Sequence, residues 1–373
     1  MFDDRYKKLA ETLVNYSCQV QPGENVLIEQ RGDENTLSQE LIRAIVKAGG
    51  HPFFQVWPEA LEKTWIQEAD TETLTLASQK DKAFMEKMDA YIGIRQRNNL
   101  YAFGDITPEQ DQAYQLNYYH PVHFPCRVNN TKWVVLRYPN DSMAQLAEMP
   151  TDRFEDFYFQ VCNFDYARLS QAMNPLKALL DQGDRVEIKG AGVDLSFSIK
   201  GIGSIKCDGH MNVPDGEVYT APVKDSVSGF ITYNTPSPNS GKVYDAVHLE
   251  FDQGKIVKAT CANGLDAELN HIFDTDSGAR YIGEFAFGLH PHIQKPMKDT
   301  LFDEKISGSF HFTPGASYDD AFNGNRSAVH WDMVYIMRPE YGGCDIYLDG
   351  ELIQHNGRFV REDLLPLNPE NLL

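Results

Sequence analysis

The stretch Asn25–Trp57, NVLIEQRGDENTLSQELIRAIVKAGGHPFFQVW, decides how the first half of the chain is read. After the turn Gly23-Glu24, the apolar run Asn25-Val26-Leu27-Ile28-Glu29 has the length and composition of a strand. Asn35 and Thr36 offer N-caps to a helix whose apolar stripe is Leu37, Leu41, Ile42, Ile45 and Val46. Gly49-Gly50 stops that helix, and His51-Pro52-Phe53-Phe54-Gln55-Val56-Trp57 is the next strand. A strand, a helix and a second strand at this spacing imply a parallel pair with a right-handed crossover. The loop after the first strand, Arg31-Gly32-Asp33-Glu34-Asn35, carries one glycine and two acids. It lacks the glycine fingerprint of a dinucleotide site, and its acids would repel a pyrophosphate.

The same pattern extends on both sides. Leu9, Leu13 and Val14 give Tyr6–Tyr16 helical spacing, and Asp81–Lys87 reads as a short helix before the strand Ala90–Ile94. Thr107-Pro108-Glu109 opens a helix running to Tyr118, and Trp133–Tyr138 is another near-continuous apolar strand. Two helices follow, Arg153–Cys162 and Tyr166–Leu180, and Gln182-Gly183-Asp184 ends the block. We therefore expect an open, mostly parallel α/β domain with a helical end over residues 1–182. Beyond it the style changes to short strands at hairpin spacing, from Arg185–Ile188 to Asp345–Leu348, interrupted by one helix at Leu265–Phe273. Residues 183–373 should form a sheet-rich, mostly antiparallel α+β domain.

Composition narrows the function. The chain has 373 residues and a net charge of −20, with 54 acidic against 34 basic side chains. Such a field repels phosphate backbones, which argues against nucleic acid as a partner. No run approaches the ~20 apolar residues of a membrane span, and Met1–Lys8 lacks the apolar core of a signal peptide. The six cysteines are scattered with no C-x-x-C pair, so a cytoplasmic protein with reduced thiols is expected.

Chemistry concentrates in the second half. His330-Trp331-Asp332 leads into Met333–Met337, and a strand over Ala328–Ile336 would put His330 and Asp332 on one face. On its own, that pair is equally a structural hydrogen bond. Glu284 lies in the apolar strand Tyr281–Phe287, Glu217 heads a short strand, and His311 is flanked by two phenylalanines. Glu304 precedes the His311 strand. Buried acids are costly unless paired or bound to a cation. Each of these residues alone is more often a hydrogen-bonding core residue than a ligand. Together, two glutamates, two histidines and an aspartate form the mixed O/N donor set of a two-metal hydrolase. The absence of a cysteine from that set favours a catalytic over a closed structural site. His290 and His292 have ligand-like spacing but sit in a Pro/Gly-rich loop; His210, His120 and His123 read as loop or surface residues. No G-x-S-x-G or H-E-x-x-H motif is present.

The series Asp-Gly-Glu217-Val, Gly-Glu284-Phe, Phe-Asp-Glu304-Lys…His311, Tyr318 and Asn325-Arg326-Ser-Ala-Val-His330-Trp-Asp332 resembles the aminopeptidase T, aminopeptidase S and aminopeptidase II metallopeptidase family. The last two motifs are the specific ones. Three departures mark a divergent branch: a longer Glu304–His311 spacing, a shorter His311–His330 spacing, and His290 where an asparagine is expected. The resemblance implies an N-terminal α/β domain, a C-terminal domain carrying the metals, and a homodimer enclosing a cavity. It implies that Glu217, Glu284, His311, His330 and Asp332 hold two divalent ions, expected to be zinc, cobalt or manganese; our own choice for the carboxylate bridging them is Glu284. Tyr318 would be a catalytic tyrosine and Glu304 a candidate general base. The expected activity is a metal-dependent aminopeptidase acting on peptides. A metal-binding dimer of the same fold without turnover, or a metal-free polar network, are the competing readings.

Overall fold

A computed structural model describes residues 3–373; Met1 and Phe2 lie outside the described residues. The chain divides into two compact units. The first runs to Phe164 and takes in Gly209–Pro214; the second comprises Asp165–Asp208 and Asp215–Leu373.

The first unit is built on β1 (Asn25–Arg31), β2 (His51–Trp57), β3 (Ala90–Arg95) and β4 (Lys132–Arg137). Their order is β2-β1-β3-β4, with the short strand Asn212–Val213 added beside β4, and every pairing is parallel. β1 is buried from Val26 onward, as expected of a strand covered by helices on both faces. The helix Thr36–Lys47 buries Leu37, Leu41, Ala44 and Ile45, while Val46, expected in the stripe, is exposed.

Two helices in this unit differ from the sequence expectation. Glu59–Glu68 was not anticipated, and the short helix expected at Asp81–Lys87 is the end of a longer one, Thr71–Met85. Asp70 caps that helix by accepting from the Thr73 amide. Its buried side includes Ser78 and Asp81, the latter accepting from the Tyr118 hydroxyl at 2.6 Å. A half-polar buried stripe hides the helical period from a hydropathy reading.

The second unit is antiparallel throughout its described ladders. It contains an eight-stranded sheet and a five-stranded sheet. The helix Tyr166–Gln182 belongs to this unit, so the division falls before that helix, not after it at residue 182. It lies along the strands Ile205–Cys207 and Glu217–Thr220 and turns Leu169, Met173, Leu176 and Leu180 inward. Gly209–Pro214 belongs to the first unit because Asn212–Val213 pairs there, and no single cut in the sequence can express that crossing.

The five-stranded sheet positions the chemistry. Its order is Val334–Ile336, Ser309–Pro314, Ile282–Gly288, Glu217–Thr220 and Ile205–Cys207. One face carries Phe285, Phe287, Phe310 and Phe312, all fully buried. Phe197, from the eight-stranded sheet, meets Phe285 and Phe312 with ring centroids 5.1 and 5.2 Å away. Each such ring removed from water contributes roughly 1.5–3 kcal/mol. This aromatic layer fixes the sheet and leaves its other face for polar side chains.

Candidate metal centre

The pairing register explains why distant residues meet. Antiparallel partners share a face, and so do residues two apart on one strand. Ala286 pairs with His311 and with Tyr219, while Glu284 pairs with Thr313. Glu217, Glu284, His311 and Thr313 therefore stand on the face opposite the phenylalanines. The ladder slips between Ile282 and Glu284, leaving Gly283 as the extra residue of a bulge. A Cβ at Gly283 would lie 2.1 Å from the Ala316 carbonyl oxygen, so only glycine admits this approach.

The strand expected over Ala328–Ile336 is shorter. Only Val334–Ile336 is a strand, and His330 makes a single bridge to Gly315. His330 and Asp332 nevertheless face each other, with Nε2 3.3 Å from Oδ1. Their backbone is still tied to the neighbouring chain, with the Trp331 amide donating to the Pro314 carbonyl and the Phe312 amide to the Met333 carbonyl, and two side-chain anchors add to this. His330 Nδ1 donates to the Ala316 carbonyl at 2.8 Å, and Thr313 Oγ1 donates to Asp332 at 2.8 Å.

Glu284 lies between the two imidazoles. Its Oε1 is 2.7 Å from His311 Nε2, and its Oε2 is 3.6 Å from His330 Nε2. Glu217 Oε2 lies 3.6 Å from His311 Nε2. His311 Nδ1 faces the Glu304 carbonyl oxygen at 3.3 Å, an atom that can only accept. Both histidines thus tie Nδ1–H to a backbone carbonyl and turn Nε2 toward the carboxylates. That is the orientation a metal-binding imidazole requires.

The electrostatics follow from burial and proximity. Burial opposes charging of His311, but its hydrogen bond to Glu284 and the nearby carboxylates outweigh it and raise it to about 9. His330 behaves alike: burial is overcome by Asp332 and Glu284, and it rises to about 10. Burial disfavours the Asp332 carboxylate, yet the two histidines hold it well below the usual range. Burial raises Glu284.

Glu217 Oε2, Glu284 Oε2 and His330 Nε2 are buried and make no hydrogen bond. Glu217 Oε2 instead faces the Lys305 ammonium at 3.1 Å, while Glu284 Oε2 and His330 Nε2 lie 3.6 Å apart without a hydrogen bond, an arrangement that fits a shared cation. Glu217, Glu284 and His311 offer ligand atoms close enough to share one ion, and so do Glu284, His330 and Asp332. Glu284 is common to both groups.

Tyr318 precedes the short turn Asp319–Ala321, with its ring 4.6 Å from that of His330 and its side chain half exposed. The Glu304 carboxylate is partly buried and ion-paired with Lys305. His290 and His292 belong to neither group; His290 is fully buried, and its ring lies 6.2 Å from Tyr166. His210 lies in the first unit, near Tyr16 and Gln19, and His123 stacks on Tyr119.

Three neighbours escaped the sequence reading. Cys207 pairs with Glu217 in the sheet register, and together with Asp215 they form a third potential ligand group. Burial and the surrounding carboxylates push the Cys207 thiol well up, which keeps it protonated and a poor ligand. Lys305 is buried beside Glu217. Nothing in its local sequence marks Lys305 as anything but a solvated lysine. The only hint was its place directly after Glu304.

A family model described as Thermophilic metalloprotease (M29) matches residues 2–359, nearly the whole chain. The chain belongs to this metalloprotease family. Membership makes it a metal-dependent hydrolase of peptide bonds, and the two groups around Glu284 are candidates for the divalent metal. Aminopeptidase PepS of Streptococcus thermophilus is 24% identical over 96% of either chain. Aminopeptidase 2 of Geobacillus stearothermophilus is 24% identical, over 92% of this chain and 93% of that one. AmpT from Thermus thermophilus shares the fold of this metalloprotease, with a TM-score of 0.79 over 97% of this chain and 100% of that one, at 22% identity.

Proposed function

We propose that the chain is an aminopeptidase that releases N-terminal residues from peptides, with two divalent cations held by Glu217, Glu284, His311, His330 and Asp332. The observation that carries this reading is the placement of Glu284, whose two oxygens face two different imidazole Nε2 atoms. Glu217 and His311 complete one shell with it, and His330 and Asp332 the other. The names of the relatives, aminopeptidases matched along nearly their full length, support the exopeptidase class.

Divalent ions at these positions supply a Lewis acid for the scissile carbonyl and a water acidified toward neutral pH. The oxygen and nitrogen donors suit zinc, cobalt or manganese. The protein's own groups do the rest. Glu284 holds both shells in register, and Thr313 keeps Asp332 aimed at His330. Tyr318, whose phenol is pushed well above its ordinary value by burial and by the Asp332 and Glu284 carboxylates, stays protonated and donates from Oη to the developing oxyanion. Glu304, partly buried next to the cluster and not required as a ligand, is the proton acceptor in this reading. The acidic surroundings favour a substrate with a free α-amino group.

Six free thiols support a reducing, cytoplasmic setting, and no described helix is long and apolar enough to cross a membrane. A homodimer is the proposed assembly. In its support, the edge strand β2 exposes Phe54 and Val56 on one face, apolar side chains that a lone sheet edge usually avoids. A 42.3 kDa species by light scattering would overturn it.

The central test is metal analysis with a leucyl-anilide assay before and after chelation, followed by zinc, manganese or cobalt add-back. Activity should vanish with the metal and return with it. A reloaded protein that hydrolyses no amino-acyl amide would leave only a metal-binding role. Glu284→Gln should lower both metal content and kcat/KM, the latter by ~100-fold or more; full activity with full metal content would remove Glu284 from the reading. Tyr318→Phe should cut kcat by ~100-fold with metal content unchanged. A change confined to KM would argue against oxyanion contact.

A further inference from the structure

Lys305 is an ammonium inside a cluster of carboxylates. Its side chain is 1% exposed, and Nζ lies 3.1 Å from Glu217 Oε2 and 3.8 Å from Asp215 Oδ1, and is ion-paired with Glu304. The backbone around it is pinned. The Lys305 amide donates to the Phe302 carbonyl, its carbonyl accepts from the His290 amide at 3.0 Å, and Ile306 bridges to His290. The ammonium is therefore a built feature of the site and cannot swing into solvent without unpacking buried chain.

Its position is not symmetric between the two groups around Glu284. Glu217, which the ammonium touches, belongs with Glu284 and His311. The group Glu284, His330 and Asp332 has no ion pair to any lysine or arginine among the described residues. A fixed positive charge next to a ligand oxygen competes for that oxygen and repels an arriving divalent ion, and burial limits screening by salt.

We propose that Lys305 is a built-in monocation that splits the two metal positions into a tight one, Glu284/His330/Asp332, and a weak one, Glu217/Glu284/His311. The first ion enters at the tight position. The second enters only as the Lys305–Glu217 pair loosens, so occupancy of the second position tracks the available free metal. This rests on the two-cation reading above.

The experiment is zinc binding to the metal-free full-length protein, read as bound zinc per chain by equilibrium dialysis and elemental analysis. Wild type should take up two ions in steps separated by ~100-fold or more in free zinc. Lys305→Met should draw the second step to within ~10-fold of the first, and Lys305→Arg, which keeps the charge, should preserve the wild-type separation. Two wild-type ions taken up in one step would overturn the role of Lys305, as would a separation that Lys305→Met leaves intact. A loss of both ions in both variants alike would mean that Lys305 only supports the fold, and would overturn the proposal too. Should wild type and both variants take up no zinc, the two-cation reading itself falls.

Discussion

At His330 and Asp332 the backbone is tied to the neighbouring strand through Val329, Trp331 and Met333, and each side chain is aimed by one further hydrogen bond. Thr313 Oγ1 is the anchor of Asp332, and the Ala316 carbonyl is the anchor of His330. Replacing Thr313 by valine keeps the shape and removes that hydrogen bond. Metal affinity should fall by ~10–100-fold, the usual effect of losing such a supporting contact. Dialysis against buffered zinc gives the answer directly, and unchanged affinity would show that Asp332 is held by other means. The ligand types were legible from residue identity, since a glutamate inside Tyr281–Phe287 and a histidine between phenylalanines need a partner. Lys305 and Cys207 were not legible, because a lysine after a glutamate, and a lone cysteine in a three-residue strand, look alike in any surface loop.

Among the elements, the strand Ile282–Gly288 does most to assemble the site. It pairs with Glu217–Thr220 on one side and Ser309–Pro314 on the other, and its bulge at Gly283 sets where Glu284 points. Gly283→Ala would press a methyl group against the Ala316 carbonyl, the same residue whose oxygen holds His330. We expect a loss of ~1–3 kcal/mol in stability, as for other overpacked sites, accompanied by weaker metal binding. Denaturant melts in chelator and in zinc separate the two effects, and a variant with wild-type values in both would refute the steric account. The sequence showed the strand but not the bulge. Period-2 alternation gives the faces of a strand, while a register slip depends on what lies across the ladder.

At the scale of the molecule, the two compact units carry their buried charge differently. The first encloses Glu29, fully buried, with Arg31 Nε at 3.0 Å, Arg95 Nη1 at 3.1 Å and Arg127 in contact. Burial alone would raise the Glu29 carboxyl, but the three guanidinium groups outweigh it and hold it well below its ordinary value. A depressed folded value contributes stability that is complete above the unfolded pKa of ~4.5 and is lost as pH falls through the folded value. Glu29→Gln leaves the guanidinium groups without their anion. It should cost ~3–5 kcal/mol at neutral pH, with the gap to wild type narrowing in acid. Tryptophan fluorescence during urea unfolding at several pH values measures it; a gap that widens below pH ~4 would reverse the sign of the argument.

The sequence by itself determined the two architectures and the kinds of side chain available for chemistry. Apolar period and turn chemistry are local, and they separated a parallel α/β half from an antiparallel half. Local sequence also singled out Glu217, Glu284, His311, His330 and Asp332. Only the tertiary structure decided that the two units divide before Tyr166, that Gly209–Pro214 returns to the first, and that Glu284 faces both histidines at once. It alone set an ammonium beside Glu217. These facts depend on strand register and on which buried charges meet across it, and pairings between residues far apart in the chain leave no period for a sequence to display.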